Sequence, residues 1–294
     1  MWQWNPYAPW AALTVLASGL TAWWVARRST SKAARDFLIV ASALMVDGLG
    51  AVIDLSGATL GVKAVGVFLQ YAGFIFIPTA ALRFALTNTG RTWMSSRVFW
   101  LFMTPGLLLL AGWLTNDLHH AVEVTNELAP RDGFVMRNTV AGWGFWAFVL
   151  WSYVQVLVVA IVYGFEVLYG SPLGRRHAVL LLAGTMLPWV SNGVFLLGLS
   201  PDPALDLTVY GYTATAVFWA VAITRGRMTE LVPAARNLVF DRLADPVVVL
   251  DAEDRFLDGN AAFSRLVHEA LGELHGHPLS AWGLGDALTQ DEVQ

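Results

Sequence analysis

The chain has 294 residues, 56% of them hydrophobic and 14% charged, with a mean hydropathy of +0.55. Soluble domains carry about 25% charged residues, so the composition excludes an ordinary soluble protein and predicts a membrane one, with the lipid bilayer as its first partner. The formal net charge of -4 says less than where the charges fall, no nucleic-acid partner is expected, and the absence of cysteine excludes disulfides, thiolate metal sites and cysteine nucleophiles.

The first residues, MWQWNPYAPW, carry no basic run ahead of a small-residue cleavage site, so a cleaved signal peptide is not expected. A membrane-crossing helix needs roughly 20 mainly apolar residues. Seven stretches meet that need: Tyr7–Ala26, Phe37–Leu55, Val62–Leu86, Val98–Leu114, Val140–Leu168, Ala178–Leu199 and Leu207–Thr224. The predicted fold is an all-α membrane protein, a seven-transmembrane bundle followed by a short, incomplete cytoplasmic α+β segment.

Basic residues set the orientation. Arg27, Arg28, Lys32 and Arg35 fill the first gap, Arg91 and Arg97 the third, Arg175 and Arg176 the fifth, and Arg225 and Arg227 follow the last stretch. The other side has only Lys63, Arg131 and Arg137. The N-terminus is therefore expected outside and the C-terminus in the cytoplasm. The one long outer loop, Thr115–Thr139, holds most of the polar chemistry of that face.

After Arg227 the composition turns soluble, giving an expected division into residues 1–227, a connector 228–240, and a segment 241–294. Met228, Leu231, Ala235 and Leu238 recur at helical spacing, but over about two heptads only, fewer than a coiled coil needs, and Pro233 interrupts them. An amphipathic linker is the simpler reading. In Pro246–Leu266, Val247–Leu250 and Phe256-Leu257 predict two short strands, and Asn260 the N-cap of a helix carrying Phe263 and Leu266. Two strands cannot close a sheet core alone, so an incomplete domain is expected.

Several polar residues stand where polarity is costly. Asp47 and Asp54 are seven apart and share a helix face with Gly50 and Ala51; Asp47 is a candidate proton- or ligand-responsive carboxylate, or else an acid held in a close small-residue helix contact. Asp54, near the outer end, is expected to be solvated. In the outer loop Asn116, Asp117, His119 and His120 are candidate ligand-binding or pH-sensing residues, and on a helix His119 and Glu123 would share a face. The alternative is that Asn116 and Asp117 cap a short interfacial helix, and no metal is assigned. Tyr153 is a candidate bundle-lining residue and Asp206 a helix N-cap, while Arg83 and Glu166 either pair with each other or snorkel to headgroups, the favoured reading.

Certain stretches resemble the seven-transmembrane N-terminal sensor region of membrane histidine kinases. They are Leu82-Arg83-Phe84-Ala85-Leu86 with Gly90-Arg91, Pro105, Thr115-Asn116-Asp117-Leu118-His119-His120, Ser152-Tyr153, Pro188 with Asn192, Leu205-Asp206-Leu207-Thr208, and Leu231-Val232-Pro233-Ala234-Ala235-Arg236. The Pro246–Leu266 stretch resembles the start of a PAS domain, with Asn260 at that fold's Asn position. The resemblance implies a sensory input module of a two-component histidine kinase, a homodimer working with a response regulator, with no catalytic residue of its own and no specified cofactor. It adds Asn192 to the sensing candidates and makes Asp206, Pro233, Arg236 and Asn260 candidate signal-relay positions. Similar input regions also precede diguanylate cyclase or transcription-factor outputs.

Other classes fit less well. A retinal protein needs a lysine in its last span, and the only lysines are Lys32 and Lys63. A solute transporter is the further alternative, but no repeat relates the stretches. An intramembrane enzyme lacks Gly-x-Ser-x-Gly and His-Glu-x-x-His.

Overall fold

In hydrocarbon a segment must satisfy its own backbone hydrogen bonds, and a helix does this within one stretch of chain. A computed structural model describes residues 1–28, 30–91, 93–170, 172–225, 240, 242–251, 255–267 and 277, and every apolar stretch becomes helical in it. The helices are α1 (Ala8–Arg28), α2 (Lys32–Ser56), α3 (Leu60–Phe74), α4 (Ile77–Asn88), α5 (Ser96–Leu114), α6 (Trp143–Tyr169), α7 (Pro172–Leu196) and α8 (Thr208–Arg225). Six helical segments among the described residues are long and apolar enough to cross a membrane, with α3 and α4 counted together as Leu60–Asn88. The seventh apolar stretch is α8, 18 residues long and packed between α1 and α7.

Neighbouring helices close a ring. α1 packs on α2 and α8, α8 on α7, α7 on α6, and α6 on α4 and α5, while α4 returns to α2. α4 is the most enclosed member of this ring, with nine of its 12 residues buried. Pro78 explains why the third stretch splits into two helices: lacking an N–H, it suits the first turn of α4 and cannot continue α3. α2 and α3 approach closely because their contact is built from glycine. A Cβ on Gly50 would stand 2.5 Å from the Gly66 carbonyl oxygen. Side-chain hydroxyls join other helices, with Thr14 Oγ1 donating to the Val209 carbonyl at 2.7 Å and Thr215 Oγ1 to the Gly184 carbonyl at 2.7 Å. Leu20, Leu101, Leu108 and Leu150 remain exposed on the outer surface, where lipid replaces water.

The all-α expectation needs one correction. The long segment after α5 forms an antiparallel β-hairpin of β1 (Glu123–Arg131) and β2 (Phe134–Ala141), paired from Arg131↔Phe134 back to Glu123↔Ala141. Its turn is Asp132-Gly133, with Gly133 at φ +84, a conformation glycine adopts without a Cβ clash. β-Branched residues on both sides of an Asp-Gly pair favour this structure over a flexible loop.

The chain divides into two compact units, Met1–Thr229 and Glu230–Gln294. In the second, β3 (Val248–Leu250) pairs antiparallel with β4 (Phe256–Gly259), and α9 (Ala261–Val267) follows. Asn260 is fully buried at their junction. Its Oδ1 accepts from the Phe263 nitrogen at 2.9 Å, capping α9, and from the Val247 nitrogen at 3.0 Å, while Nδ2 donates to the Asp245 carbonyl at 2.8 Å. The Phe256 and Phe263 rings stack beneath it at 5.7 Å. Pro233, Arg236 and the apolar positions Met228, Leu231, Ala235 and Leu238 lie outside the described residues.

Candidate functional site

Hydrogen bonds from three parts of the chain hold the hairpin. Asn116 clamps its base: Oδ1 accepts from the Val122 and Glu123 nitrogens, both at 3.0 Å, and Nδ2 donates to the Glu123 carbonyl at 2.7 Å. Gln3 holds β2, accepting from the Val135 nitrogen at 2.8 Å and donating to the Val135 carbonyl at 2.8 Å, and it also donates to the Leu55 carbonyl at the end of α2. Arg131 makes a paired contact with Asp202 in the α7–α8 loop, at 2.7 and 2.9 Å. That hydrogen bonding draws the Asp202 carboxyl below its ordinary range. Loops too short to form a site alone are thus assembled into a cap over one end of the bundle.

Beneath the cap lies a cavity of about 360 Å³, whose walls come from α2, α3, β2, α6, α7 and α8. Six ionisable side chains line it: Asp47, Asp54, Lys63, Glu123, Arg137 and Asp206. Two pairs are already made. Lys63, 1% exposed, lies 3.7 Å from the Asp54 carboxylate and donates to the Asp54 carbonyl at 2.7 Å. Arg137 meets Glu123 at 3.0 Å, and Glu123 also accepts from Trp113 Nε1 at 3.0 Å and Asn126 Nδ2 at 3.2 Å. The expectation of a solvated Asp54 is therefore corrected, because the lysine of α3 turns inward to reach it.

Asp47 and Asp206 are the carboxylates left over. Asp47 is 7% exposed and, among the described residues, has no hydrogen-bond partner. Asp206 accepts from the Thr208 nitrogen at 2.8 Å and from the Thr208 hydroxyl, the N-cap role its position predicts. It is exposed where it lines the cavity yet closely surrounded by protein, and this desolvation raises its carboxyl above the ordinary range despite the Thr208 bonds.

From Asp206 a line of hydrogen bonds crosses three helices. Thr208 Oγ1 accepts from Asn192 Nδ2 at 3.0 Å, and Asn192 Oδ1 accepts from the Tyr153 hydroxyl at 2.5 Å. Asn192, Thr208, Phe74 and Tyr212 also border a second, mainly apolar cavity of about 80 Å³ between α4, α6 and α7. Of the sensing candidates the sequence suggested, the structure brings Asp47 and Asn192 to the main cavity and Tyr153 to its neighbour, and Asp206 joins them from the relay candidates.

The remaining candidates are placed elsewhere. Asp117, His119 and His120 are exposed at a short 3₁₀ turn, Asn116–Leu118, outside the cavity. His119 accepts from the Ala121 nitrogen at 3.0 Å through Nδ1 and contacts Thr115 Oγ1 through Nε2. It does not share a helix face with Glu123, because the Asn116 clamp turns the chain into β1 first. Among the described residues no three His, Asp or Glu side chains are grouped to hold a metal ion.

The opposite end of the bundle is closed by ion pairs. Arg83 reaches Asp36 at 2.8 Å and lies over the Phe99 ring, Thr87 donates to Asp36 at 2.7 Å, and Arg91 meets Glu166 at 3.1 Å. The snorkelling expected of Arg83 and Glu166 is corrected: each has a protein partner within reach on a neighbouring element.

A family model described as the N-terminal 7TM region of histidine kinase matches residues 10–233. The chain belongs to this family. The match takes in every helix from α2 to α8, and no curated protein matches the chain. For a histidine kinase 7TM region, the capped cavity is the feature with the size and polarity of a small-molecule site. Sequence reasoning missed Lys63, Glu123 and Arg137 as cavity-lining charges. Lys63 stands inside an apolar stretch, which was the signal available, since ionisable groups at membrane depth usually face the bundle interior.

Proposed function

We propose that this 7TM region is the sensory input module of a two-component histidine kinase, and that the capped cavity is where its stimulus acts. The observation that carries this reading is the position of Asp206 and Thr208. They line the cavity, start α8, and are hydrogen-bonded through Asn192 to α6 and α7. Among the described residues α8 is also the last helix before the second unit in the chain. An occupant touching its first turn can bias two packings of the bundle, which is all a ligand needs to do to pass on a signal.

In this reading all seven stretches span the membrane, with the hairpin outside and the C-terminus in the cytoplasm, as the Arg and Lys distribution favours. Residues 241–294 are the beginning of a PAS domain. Pro233, Arg236 and Asn260 lie along the relay, the module works as a homodimer, and a phosphorylated response regulator receives the output.

The test is a fusion of residues 1–294 to the phosphoacceptor and ATP-binding domains of a characterised histidine kinase, reconstituted in lipid. Filling the cavity by Ala51→Phe from α2, or by Ala204→Phe from the α7–α8 loop, should change basal autophosphorylation by roughly threefold or more, a bias of about 0.7 kcal/mol between packings. Unchanged rates in two variants that fold and insert normally would remove the proposal.

A further inference from the structure

The charge balance of the capped cavity goes beyond the general sensory reading and selects a class of ligand, resting on that reading only for the idea that the cavity is occupied. Four carboxylates line it against two cations, Lys63 and Arg137, and both cations are engaged, with Asp54 and Glu123 respectively. What remains is Asp47, deeply buried with no donor among the described residues, and Asp206, which is served only by Thr208. A buried carboxylate without a donor is costly, and a ligand that brings a charged N–H group removes that cost most fully.

The other walls agree with this assignment. Tyr71, Phe74, Trp146, Tyr210 and Tyr212 supply aromatic surface, which attracts a cation through its ring faces and covers an apolar body. The adjoining apolar cavity of about 80 Å³, shared across Phe74 and Tyr212, gives a hydrocarbon tail further room. The main volume, about 360 Å³, lies at the lower end of the usual small-molecule range. An anion would meet the two free carboxylates, and a bare metal ion would lack a third convergent ligand. We infer that the cavity beneath the hairpin binds a small organic cation, a protonated amine with an apolar body, with Asp47 and Asp206 as its counter-ions.

The experiment uses the full 294-residue chain in lipid nanodiscs and follows thermal unfolding with matched probes. The ammonium ions are butylammonium and 2-phenylethylammonium, the neutral analogues are 1-butanol and 2-phenylethanol, and the anions are butyrate and phenylacetate. At least one ammonium ion should raise the melting temperature saturably, by roughly 3 °C or more, while its alcohol and carboxylate analogues do not. Asp47→Asn should abolish the shift and Asp206→Asn should weaken it at least roughly tenfold in apparent affinity, a loss of about 1.4 kcal/mol. Glu127→Gln, on the exposed face of β1, should leave the shift intact.

Both aspartate substitutions keep the side-chain shape, and asparagine still caps a helix, so the unliganded melts report whether the variants fold. The inference is overturned if alcohols stabilise as well as ammonium ions, if carboxylates bind, if no ammonium ion binds, or if binding survives Asp47→Asn. Failure here with a positive cavity-filling result in the kinase fusion would remove the ligand class and leave the sensory reading. Binding here with an unresponsive fusion would do the reverse.

Discussion

At the end of the bundle away from the hairpin, Asp36 and Arg83 meet at 2.8 Å; at the hairpin end, Asp47 and Asp206 face a cavity and meet no cation. Asp36 and Asp47 lie on one helix, eleven residues or about 16 Å apart along its axis. Both are buried and acidic, yet one closes a helix junction and the other is left open. A buried charge with its partner in place tells of structure, whereas one lacking a partner at a cavity wall is a candidate for function.

Substitutions can break this contrast in order of expected size. Arg83→Ala removes the cation beside the buried Asp36 carboxylate, leaving it the Thr87 hydroxyl, and should cost about 3 kcal/mol of unfolding free energy, measured by denaturant titration in bicelles. Gly66→Ala puts a methyl group against the backbone of Asp54 on α2, which should push α2 and α3 apart and cost about 1–3 kcal/mol by the same titration. Asp47→Asn should act in the opposite sense, raising stability by about 1 kcal/mol, because an amide avoids the cost of burying an ionisable carboxyl without a donor. A loss of stability in that variant would mean that Asp47 has a favourable partner and that the contrast between the two ends is false.

The smallest effects sharpen the comparison through pH. The Asp202 carboxyl is lowered by Arg131, so its contribution is present above the ordinary aspartate range and is lost as pH falls through its depressed value. This pair is partly exposed, and Asp202→Asn should flatten the acid limb of the melting curve by less than about 1 kcal/mol. Asp206 is raised by burial, so the sign reverses. The fold favours its neutral form, and stability declines as pH rises from the ordinary range through the raised value. Asp206→Asn should remove that decline in melts recorded between about pH 3 and 8.

The helices were legible because hydrocarbon allows few alternatives: each apolar stretch became helix to within a few residues at most ends, and Pro78 marked the break between α3 and α4. Asp47 could be singled out because polarity inside apolar sequence is conspicuous, Asp206 because it precedes a helix, and Asn192 through the resemblance to the kinase sensor region. Their arrangement could not. The line from Tyr153 through Asn192 to Thr208 joins helices whose rotation about their axes depends on packing, and no spacing along the chain encodes it. The hairpin is a different case. Asp132-Gly133 with β-branched residues on both sides carried the signal, and the length of the loop and its paired histidines hid it. The pairing of Lys63 with Asp54 joins neighbouring helices across a turn, and Arg137 with Glu123 joins facing strands, so both depended on knowing which way those elements face.

The break at Ile75 and Phe76 divides one apolar stretch into two parts with different surroundings. α3 lines the cavity, while α4 is buried on nearly every side and carries Arg83. A rigid rod running the full length would have to move its buried half whenever its upper half tilted. With a joint between them the two halves are held separately, α3 against α2 through its glycines and α4 against α2 and α6, so a shift of one half need not be carried by the other.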